Sequence, residues 1–257
     1  MTATALPRFE ELLAPGTWRT IDFISDLHLQ AAEPETFDAW RRYMSETPAD
    51  AVFILGDLFE VWVGDEPAQE PGFAADCAAV LQATADRASL FFMHGNRDFL
   101  VSDGFLRACR TTPLPDPTVL GFAGQRWLLT HGDALCLADT DYMKFREQVR
   151  NPAWQREFLS RPLAERQAIA RELREQSEAR KRSGVEYADV DGAATQAWLE
   201  AADAQVLIHG HTHRPADHAL AAARQRTVLS DWDARAEPAR QEVLRLTAAG
   251  LQRIAFD

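Results

Sequence analysis

The sequence predicts an α/β fold with a parallel sheet, and two observations support this prediction. First, short apolar runs of strand length occur at residues 20–25, 51–55 and 90–93, and polar residues follow each of them. Second, apolar side chains recur at helical spacing after the first two runs. They are Phe37, Trp40, Tyr43 and Met44 after the first run, and Phe73, Cys77, Val80 and Leu81 after the second. Strands that alternate with helices in this way form parallel sheets.

The length and composition favour a single domain over residues 1–257. A chain of 257 residues with 46% hydrophobic content can bury one substantial core, and α/β folds of this size often form one domain. Two later apolar runs, at residues 126–130 and 206–208, also end in polar residues. Roughly 70 residues separate them, far more than the ordinary connection of about 4–6 residues. This distance predicts an insertion at about residues 140–203.

The insertion has helical periodicity and a basic charge. Residues 142–182 and 192–202 predict helices, with almost no strand signal between them. Residues 144–182 contain 11 Lys and Arg against 6 Asp and Glu, whereas the whole chain has a net charge of -12. We interpret the insertion as a lid with an apolar face and a positive rim. The plainer alternative is that its apolar residues pack onto the core and its arginines are solvated. The apolar residues are Tyr142, Met143, Phe145, Val149, Trp154, Phe158, Leu159, Leu163, Ile169 and Leu173.

Strand patterns return near the end of the chain. Short β-like runs occur at residues 218–220, 226–229, 241–246 and 251–255. They predict a second, partly antiparallel sheet.

The composition argues against several classes of protein. No run of about 18 apolar residues exists, which excludes a transmembrane helix, and residues 1–11 lack a signal-peptide pattern. The cysteines, Cys77, Cys109 and Cys136, are far apart, so neither a disulfide framework nor a thiolate zinc site is indicated and a cytoplasmic location fits. The net charge of -12 disfavours binding to nucleic acid. Nothing in the sequence indicates an obligate protein partner.

Polar side chains that suit metal ions follow the five apolar runs. In Asp26-x-His28, alternate residues of an extended backbone lie on the same side, so a carboxylate and an imidazole can reach one ion. His211-x-His213 repeats this spacing. Oxygen and nitrogen donors without sulfur suit Mn²⁺, Fe²⁺ or Zn²⁺. The five clusters are Asp26-Leu27-His28, Gly56-Asp57, Gly95-Asn96-Arg97-Asp98, His131-Gly132-Asp133 and Gly210-His211-Thr212-His213.

Each cluster alone has an ordinary alternative. An Asp-x-His after a strand is more often a helix cap or a turn, and Gly-Asp and Gly-Asn are common turn dipeptides. Five such clusters, each at a predicted strand end, are jointly improbable as turns. Because the loops of an open α/β sheet converge at the carboxyl ends of its strands, we expect the clusters to meet in one site.

The motif order D-x-H, G-D, G-N-[HR]-[DE], H-G-D and G-H-x-H resembles that of the calcineurin-like metallophosphoesterase superfamily over residues 26–213. The resemblance implies a four-layer α/β/β/α sandwich with two metal ions at the sheet edges. It implies seven ligands: Asp26, His28 and His213 for one ion, Asn96, His131 and His211 for the other, and Asp57 as a bridge. It assigns catalytic roles to Asp57, Asn96, Arg97 and His131. We expect Asp98 and Asp133 to orient His28, His131 or a loop rather than to bind metal.

Arg97 is the most informative departure from the superfamily pattern, because many members have His at this position and use it as a general acid. Arginine does not donate its proton in proteins, but it can clamp a phosphate through two hydrogen bonds. A phosphate leaving group has a second pKa near ~6 and departs without protonation. Arg97 therefore favours a diphosphate substrate, and the alternative is a surface salt bridge.

A closer resemblance covers nearly the whole chain. The motifs at residues 56–60, 94–100, 131–136 and 208–215 are similar to those of the diphosphate hydrolases that act on UDP-2,3-diacylglucosamine in lipid A biosynthesis. This resemblance implies that a water activated by two Mn²⁺, with Fe²⁺ or Zn²⁺ as alternatives, attacks the α-phosphorus to give UMP and 2,3-diacylglucosamine 1-phosphate. It also implies a peripheral location on the cytoplasmic face of the inner membrane. By position it implies substrate binding by Asn96, Arg97, Asp139, Ser177, Lys181 and His211. The family pattern has Asn and Lys where this chain has Lys181 and Gly184, so Arg180 or Arg182 could take the place of the family's lysine.

Two alternative functions stay open at this point. A related hydrolase could act on another nucleotide diphosphate or a cyclic nucleotide, and its lid would then have no lipid pocket. A noncatalytic scaffold could retain the fold without the metals. Such a scaffold is expected to have lost ligands, whereas all seven positions are filled here.

Overall fold

Two facing sheets of six strands each form the centre of the structure, a computed structural model that describes residues 6–182 and 188–256, without the side chains of residues 176–182. The described strands are β1 (Glu10–Leu13), β2 (Thr20–Ile24), β3 (Ala51–Leu55), β4 (Ser89–Met93), β5 (Thr111–Pro113), β6 (Thr118–Phe122), β7 (Gln125–Leu129), β8 (Val206–His209), β9 (Ala216–Ala219), β10 (Gln225–Val228), β11 (Glu242–Thr247) and β12 (Gly250–Ala255). One sheet has the order β1-β6-β7-β8-β10-β9, and the other has the order β12-β11-β2-β3-β4-β5.

Helices cover the outer faces of both sheets. The described α-helices are α1 (Pro34–Glu46), α2 (Phe73–Thr84), α3 (Asp103–Ala108), α4 (Thr140–Val149), α5 (Pro152–Leu159), α6 (Leu163–Arg182) and α7 (Gly192–Ala201). Helix α1 starts with Pro34, whose fixed φ suits the first helical position. Its buried residues Trp40, Tyr43 and Met44 follow the helical period and pack on the sheet that contains β2.

Strand β3 shows why the core has several layers. All five of its residues are buried. Phe53 and Leu55 point between the two sheets, whereas Val52 and Ile54 point to the layer of α1 and α2, since successive side chains of a strand alternate between faces. On the far side, Trp198 of α7 packs with residues of β6, β7 and β8. The four-layer α/β/β/α sandwich expected from the resemblance is therefore confirmed.

Parallel pairing aligns the strands that precede the polar clusters. Ile54 of β3 pairs with Ile24 of β2 on one side and with Phe92 of β4 on the other. In the other sheet, Leu129 of β7 pairs with Ile208 of β8. Because each group of strands is parallel and in register, the loops that follow them leave each sheet from one edge.

Helices α4, α5 and α6 lie between β7 and β8, where the sequence predicts the insertion. Asp139 caps α4 by accepting from the amide of Tyr142 at 3.1 Å, and Asn151 caps α5 by accepting from the amide of Ala153 at 2.8 Å. Helix α7 also falls within residues 140–203, yet it forms the outer layer on the sheet. The boundaries of the insertion as a unit, and its role as a lid, stay predictions.

A second, partly antiparallel sheet is present, as predicted, but the final strands are divided between the two sheets instead of forming one of them together. Strand β10 joins one sheet beside β8, and β11 joins the other beside β2. Both pairs extend the edge of a sheet that already exists, which leaves no additional edge exposed. Four elements, β1, β5, β6 and α3, were not predicted from the sequence. Helix α3, with six residues, is too short to show a period.

Within residues 6–182 and 188–256, no helix combines the length and the apolar character needed to cross a membrane.

Candidate metal centre

The structure brings together all seven side chains that the sequence predicts as metal ligands. They follow five strands of two sheets: β2, β3 and β4 in one sheet, and β7 and β8 in the other. A backbone contact joins the two sheet edges, because the amide of His211 donates to Oδ2 of Asp26 at 2.8 Å. Residues 185 positions apart thus become neighbours.

Asp26, His28 and His213 form the first cluster. Nε2 of His213 lies 3.3 Å from Oδ1 of Asp26, and Nε2 of His28 lies 3.9 Å from the same oxygen. The two Nε2 atoms are 3.2 Å apart. Ligand atoms of these three residues all lie within 4.8 Å of one another. Lone pairs that converge in this way repel one another unless a cation or a proton lies between them.

Asn96, His131 and His211 form the second cluster. Oδ1 of Asn96 lies 3.0 Å from Nε2 of His131 and 2.9 Å from Nδ1 of His211. The rings of His131 and His211 meet edge to face, with their centroids 5.1 Å apart. One amide oxygen and two imidazole nitrogens therefore converge on one point.

Asp57 lies between the two clusters. Its Oδ2 is 3.9 Å from Nε2 of His28 in the first cluster and 3.8 Å from Nε2 of His131 in the second. The side chain is buried, with a relative exposure of 2%. One carboxylate oxygen is thus within reach of both candidate ion positions, as a bridging ligand requires.

One oxygen of Asp26 supports the presence of a cation. Its Oδ2 accepts from Oγ of Ser25 at 2.6 Å and from the amide of His211 at 2.8 Å. Its buried Oδ1 has no hydrogen-bond partner among the described residues and faces the two imidazoles. Burial would raise the pKa of Asp26, but the neighbouring histidines hold it well below its usual range. An unpaired buried carboxylate oxygen is costly, and a divalent cation would pair it, so the residues fit a metal ion.

Backbone strain is concentrated at the candidate ligands. A positive φ in a residue other than glycine is uncommon and costs of order 1–3 kcal/mol. Five of the seven ligands have one: Asp26 (53°), His28 (49°), Asp57 (53°), His211 (66°) and His213 (52°). The extended backbone expected for Asp26-x-His28 was therefore wrong, because both of its ligands have left-handed φ values. Strained residues persist only where the surrounding fold offsets their cost, and they cluster at functional sites. Their concentration here therefore indicates a functional site.

The outer ring nitrogens of the histidines have partners that set their orientation. Nδ1 of His131 donates to the carbonyl oxygen of Leu55 at 2.9 Å, and Nδ1 of His28 contacts Oε2 of Glu60 at 2.8 Å. In the neutral form of His131 the ring proton therefore lies on Nδ1, which leaves Nε2 to bind a cation, and the contact with Glu60 orients the ring of His28 in the same sense.

Asp98 and Asp133 support the centre in different ways. Asp98 accepts from the amides of Gly95 and Leu58, each at 2.8 Å, and so joins the loops after β3 and β4, as expected. Asp133 instead holds helix α4, because it accepts from Oη of Tyr142 at 2.7 Å and from Nε of Arg146 at 2.8 Å.

Arg97 opens onto a cavity of about 560 Å³ that also contains ligand side chains. Its side chain is only 19% exposed, and Nη1 lies 3.8 Å from Oε1 of Glu60. Arg97 is therefore mostly buried and does not form a salt bridge at the surface. Asp139 and His211 line the same cavity. Its apolar wall is formed by Val61, Trp62, Phe99, Leu100, Phe145, Trp154, Phe158, Ala170 and Leu173.

Two expected substrate contacts cannot be placed. Ser177 and Lys181 belong to α6, but their side chains lie outside the described part of the chain. Their roles stay predictions.

Several residues that support the centre were not predicted from the sequence. Glu60 lies three residues after Asp57 inside a motif, which was a usable signal. Arg174 contacts Glu60 from α6 at 3.2 Å, and Arg150 donates to the carbonyl oxygen of Gly95 at 2.9 Å. No local pattern marks these two arginines, because their partners are 55 or more positions away.

Comparisons with known proteins identify a family model and several relatives that match this chain. A family model described as calcineurin-like phosphoesterase matches residues 19–215. A protein of Chromobacterium violaceum named UDP-2,3-diacylglucosamine hydrolase is 46% identical over 221 residues, which cover 82% of this chain and 90% of that protein. A protein of the same name from Pseudomonas putida is 41% identical over 242 residues, covering 91% and 98%. Among solved structures, an archaeal phosphodiesterase covers 91% of this chain and 98% of its own, with a TM-score of 0.47 and 11% identity.

Proposed function

This chain belongs to the calcineurin-like phosphoesterase family, and we propose that it hydrolyses the diphosphate bond of UDP-2,3-diacylglucosamine to UMP and 2,3-diacylglucosamine 1-phosphate. Membership makes the chain a metal-dependent hydrolase. The names of its relatives support the choice of substrate, since two that cover most of the chain are called UDP-2,3-diacylglucosamine hydrolase.

We propose two divalent cations per chain, Mn²⁺ in the first place and Fe²⁺ or Zn²⁺ as alternatives. The donor set supports this choice, because it contains carboxylate, amide and imidazole groups without sulfur. When bound, the cations would supply positive charge to the phosphate oxygens and lower the pKa of a water. The proposed ligands are Asp26, His28 and His213 for one cation, Asn96, His131 and His211 for the other, and Asp57 for both.

The protein's own groups would position the diphosphate. The guanidinium of Arg97 opens onto the cavity that contains Asp57 and Asn96, so it can bind a phosphate oxygen pair while the ligands orient the reacting phosphorus. We propose that water attacks the α-phosphorus and that the sugar 1-phosphate leaves. This leaving group needs no proton, and the charge that it develops can be stabilised by Arg97.

The observation that carries the proposal is the composition of the cavity. It joins the candidate ligands and Arg97 to a wall of apolar side chains, several of which come from α5 and α6. Trp154 and Phe158 stack there with their centroids 5.0 Å apart. A diphosphate with acyl chains requires a charged end and an apolar space side by side, whereas a free nucleotide does not.

We propose that α4, α5 and α6 form a lid over this cavity and contact the cytoplasmic face of the inner membrane. Leu159 and Leu173 are both 39% exposed, and arginines lie along the same helices. Apolar and basic groups together suit the surface of an anionic bilayer.

Product analysis in H₂¹⁸O tests the proposal. Purified protein loaded with Mn²⁺ is given UDP-2,3-diacylglucosamine, and mass spectrometry identifies the products. We expect ¹⁸O in UMP, which places the attack at the α-phosphorus. Label in the sugar phosphate would contradict the site of attack. Turnover of the deacylated analogue at an equal rate would contradict the substrate class, and activity that persists after removal of metal by a chelator would contradict the metal requirement.

A further inference from the structure

Glu60 contacts three segments of the chain that meet at the candidate centre. It is buried, with a relative exposure of 8%. Its Oε2 lies 2.8 Å from Nδ1 of His28, and its Oε1 lies 3.2 Å from Nε of Arg174 and 3.8 Å from Nη1 of Arg97. One carboxylate therefore contacts a proposed metal ligand, a helix of the insertion and the arginine of the cavity.

The contact with His28 bears directly on metal binding. With Nδ1 held against a carboxylate, Nε2 of His28 points to Oδ1 of Asp26 and to Nε2 of His213. Outer carboxylates of this kind fix the tautomer and the ring orientation of a ligand, and their loss typically lowers metal affinity about 10–100-fold. Glu60 is placed to do this for the first cluster.

Helix α6 contacts the segment that contains Glu60 at two places. Arg166 is 3% exposed, donates to the carbonyl oxygen of Val63 and pairs with Glu66. Arg174, about two turns further on, contacts Glu60 and donates to Oε1 of Gln30 at 3.2 Å. Arg166 therefore anchors the helix, and Arg174 connects it to the metal centre.

We infer that Glu60 is a positioning residue that couples the docking of α6 to metal binding at His28. Ala170 and Leu173 of α6 line the cavity, so the contact between Glu60 and Arg174 joins the cavity wall to the centre. Such coupling is reciprocal: metal at the first cluster stabilises the docked helix, and the docked helix raises the metal affinity. The inference rests on the proposed function only in its assignment of His28 as a ligand.

Titration of the full chain with Mn²⁺, followed by calorimetry and by electron paramagnetic resonance, tests the inference. In Glu60→Ala we expect one of two Mn²⁺ sites to weaken about 10–100-fold. Glu60→Gln should weaken it less, because an amide oxygen of similar shape can still lie against Nδ1 of His28. Arg174→Gln keeps Glu60 and should weaken the same site by at least about 5-fold, the lower end of typical coupling. Arg171→Gln, at an exposed position of the same helix, is the control and should bind like the wild type.

Hydrogen exchange over residues 163–175 supplies the reciprocal measurement. Mn²⁺ should slow exchange there in the wild type and in Arg171→Gln, but not in Glu60→Ala. Unchanged Mn²⁺ affinity in Glu60→Ala, or full protection of α6 by Mn²⁺ in Arg174→Gln, would overturn the coupling alone. A wild type that binds no Mn²⁺ would overturn the proposed metal centre as well, which distinguishes the two failures. Far-UV circular dichroism checks folding, and the isosteric Glu60→Gln provides the comparison if Glu60→Ala does not fold.

Discussion

The backbone N–H of Arg97 donates a hydrogen bond to Oδ1 of Asp57 at 2.8 Å. This bond occupies one oxygen of the buried carboxylate and leaves Oδ2 between Nε2 of His28 and Nε2 of His131. The main chain of Arg97 thus orients the proposed bridge, while its guanidinium lines the cavity. Because the two roles belong to different parts of one residue, substitution of the side chain can separate them.

Replacement of Asp57 by Ala should remove metal and activity together. The carboxylate is the group shared by both clusters, so its loss leaves the two candidate cations unbridged. We expect fewer than two Mn²⁺ per chain by elemental analysis and a fall in kcat of more than about 10²-fold. A variant that keeps two tightly bound Mn²⁺ would show that Asp57 is not the bridge.

Replacement of Arg97 by Ala should leave metal binding intact and reduce the rate. The backbone bond to Asp57 survives this change, while a bidentate phosphate contact is lost. A loss of about 10²–10³-fold in kcat is expected, as for removal of one preorganised donor to a developing charge. Steady-state kinetics and Mn²⁺ titration measure the two effects separately.

Arg97→Lys is the matched control for charge. It keeps a cation but loses the planar fork, so it should recover only part of the rate. Unchanged kinetics in Arg97→Ala would remove the phosphate clamp from the mechanism.

Replacement of Gly95 by Ala should disturb the centre by steric crowding alone. A Cβ at this position would collide with Oδ1 and with the backbone nitrogen of Asp57. We expect a loss of about 1–3 kcal/mol of stability and weaker Mn²⁺ binding, measured by thermal unfolding and by calorimetry. Gly192→Ala is the control, because nothing lies within 4 Å of its added Cβ. Equal stability and metal affinity in both variants would contradict the crowding of this loop.

Replacement of Leu173 by Ser should weaken the binding of the acylated substrate only. Leu173 lines the cavity, and loss of an apolar contact of this kind costs about 1–3 kcal/mol. We expect a higher KM for UDP-2,3-diacylglucosamine and an unchanged KM for its deacylated analogue. Leu13→Ser is the control, since Leu13 is an exposed leucine of β1 that neither lines the cavity nor belongs to the helices of the proposed lid. A similar rise in KM for both substrates would place the acyl chains elsewhere.

Metal binding should strengthen as the pH rises towards about 9. Burial would lower the pKa of His131, but the carboxylates of Asp57, Asp133 and Asp26 outweigh it and raise the pKa of His131 to about 9. A cation needs the neutral ring, so a proton competes with it below that pH. Calorimetry at about pH 7.5 in buffers of different ionisation enthalpy should show proton release on binding of Mn²⁺.

The raised pKa of His131 also predicts how the stability of the metal-free protein changes with pH. A histidine pKa raised above its ordinary value of 6.5 stabilises the fold below that pH, and this contribution is lost as the pH rises through about 9. Metal-free protein should therefore unfold at a lower temperature at pH 9 than at pH 6.5. His131→Asn, which cannot take up the proton, should show a smaller difference, and an equal one would exclude His131 as its source.

The candidate site was largely predictable because its ligands follow short, strongly apolar strands. Such strands have a local signature, and a parallel sheet must bring their carboxyl ends to one edge, so Asp26, Asp57 and Asn96 had to be neighbours. The sheet that each of the last strands joins was not predictable in this way. The period of β10 and β11 indicates strands, but it does not indicate which sheet offers them a free edge.

The sequence by itself determined the order and chemistry of the donors and the α/β class, because composition and periodicity are local properties of the chain. Only the tertiary structure decided which oxygen of Asp26 and of Asp57 faces the centre, and that Glu60 joins His28 to Arg174. These contacts depend on the path of the chain between residues as far as 185 positions apart. That path follows from packing of the whole molecule rather than from any local pattern.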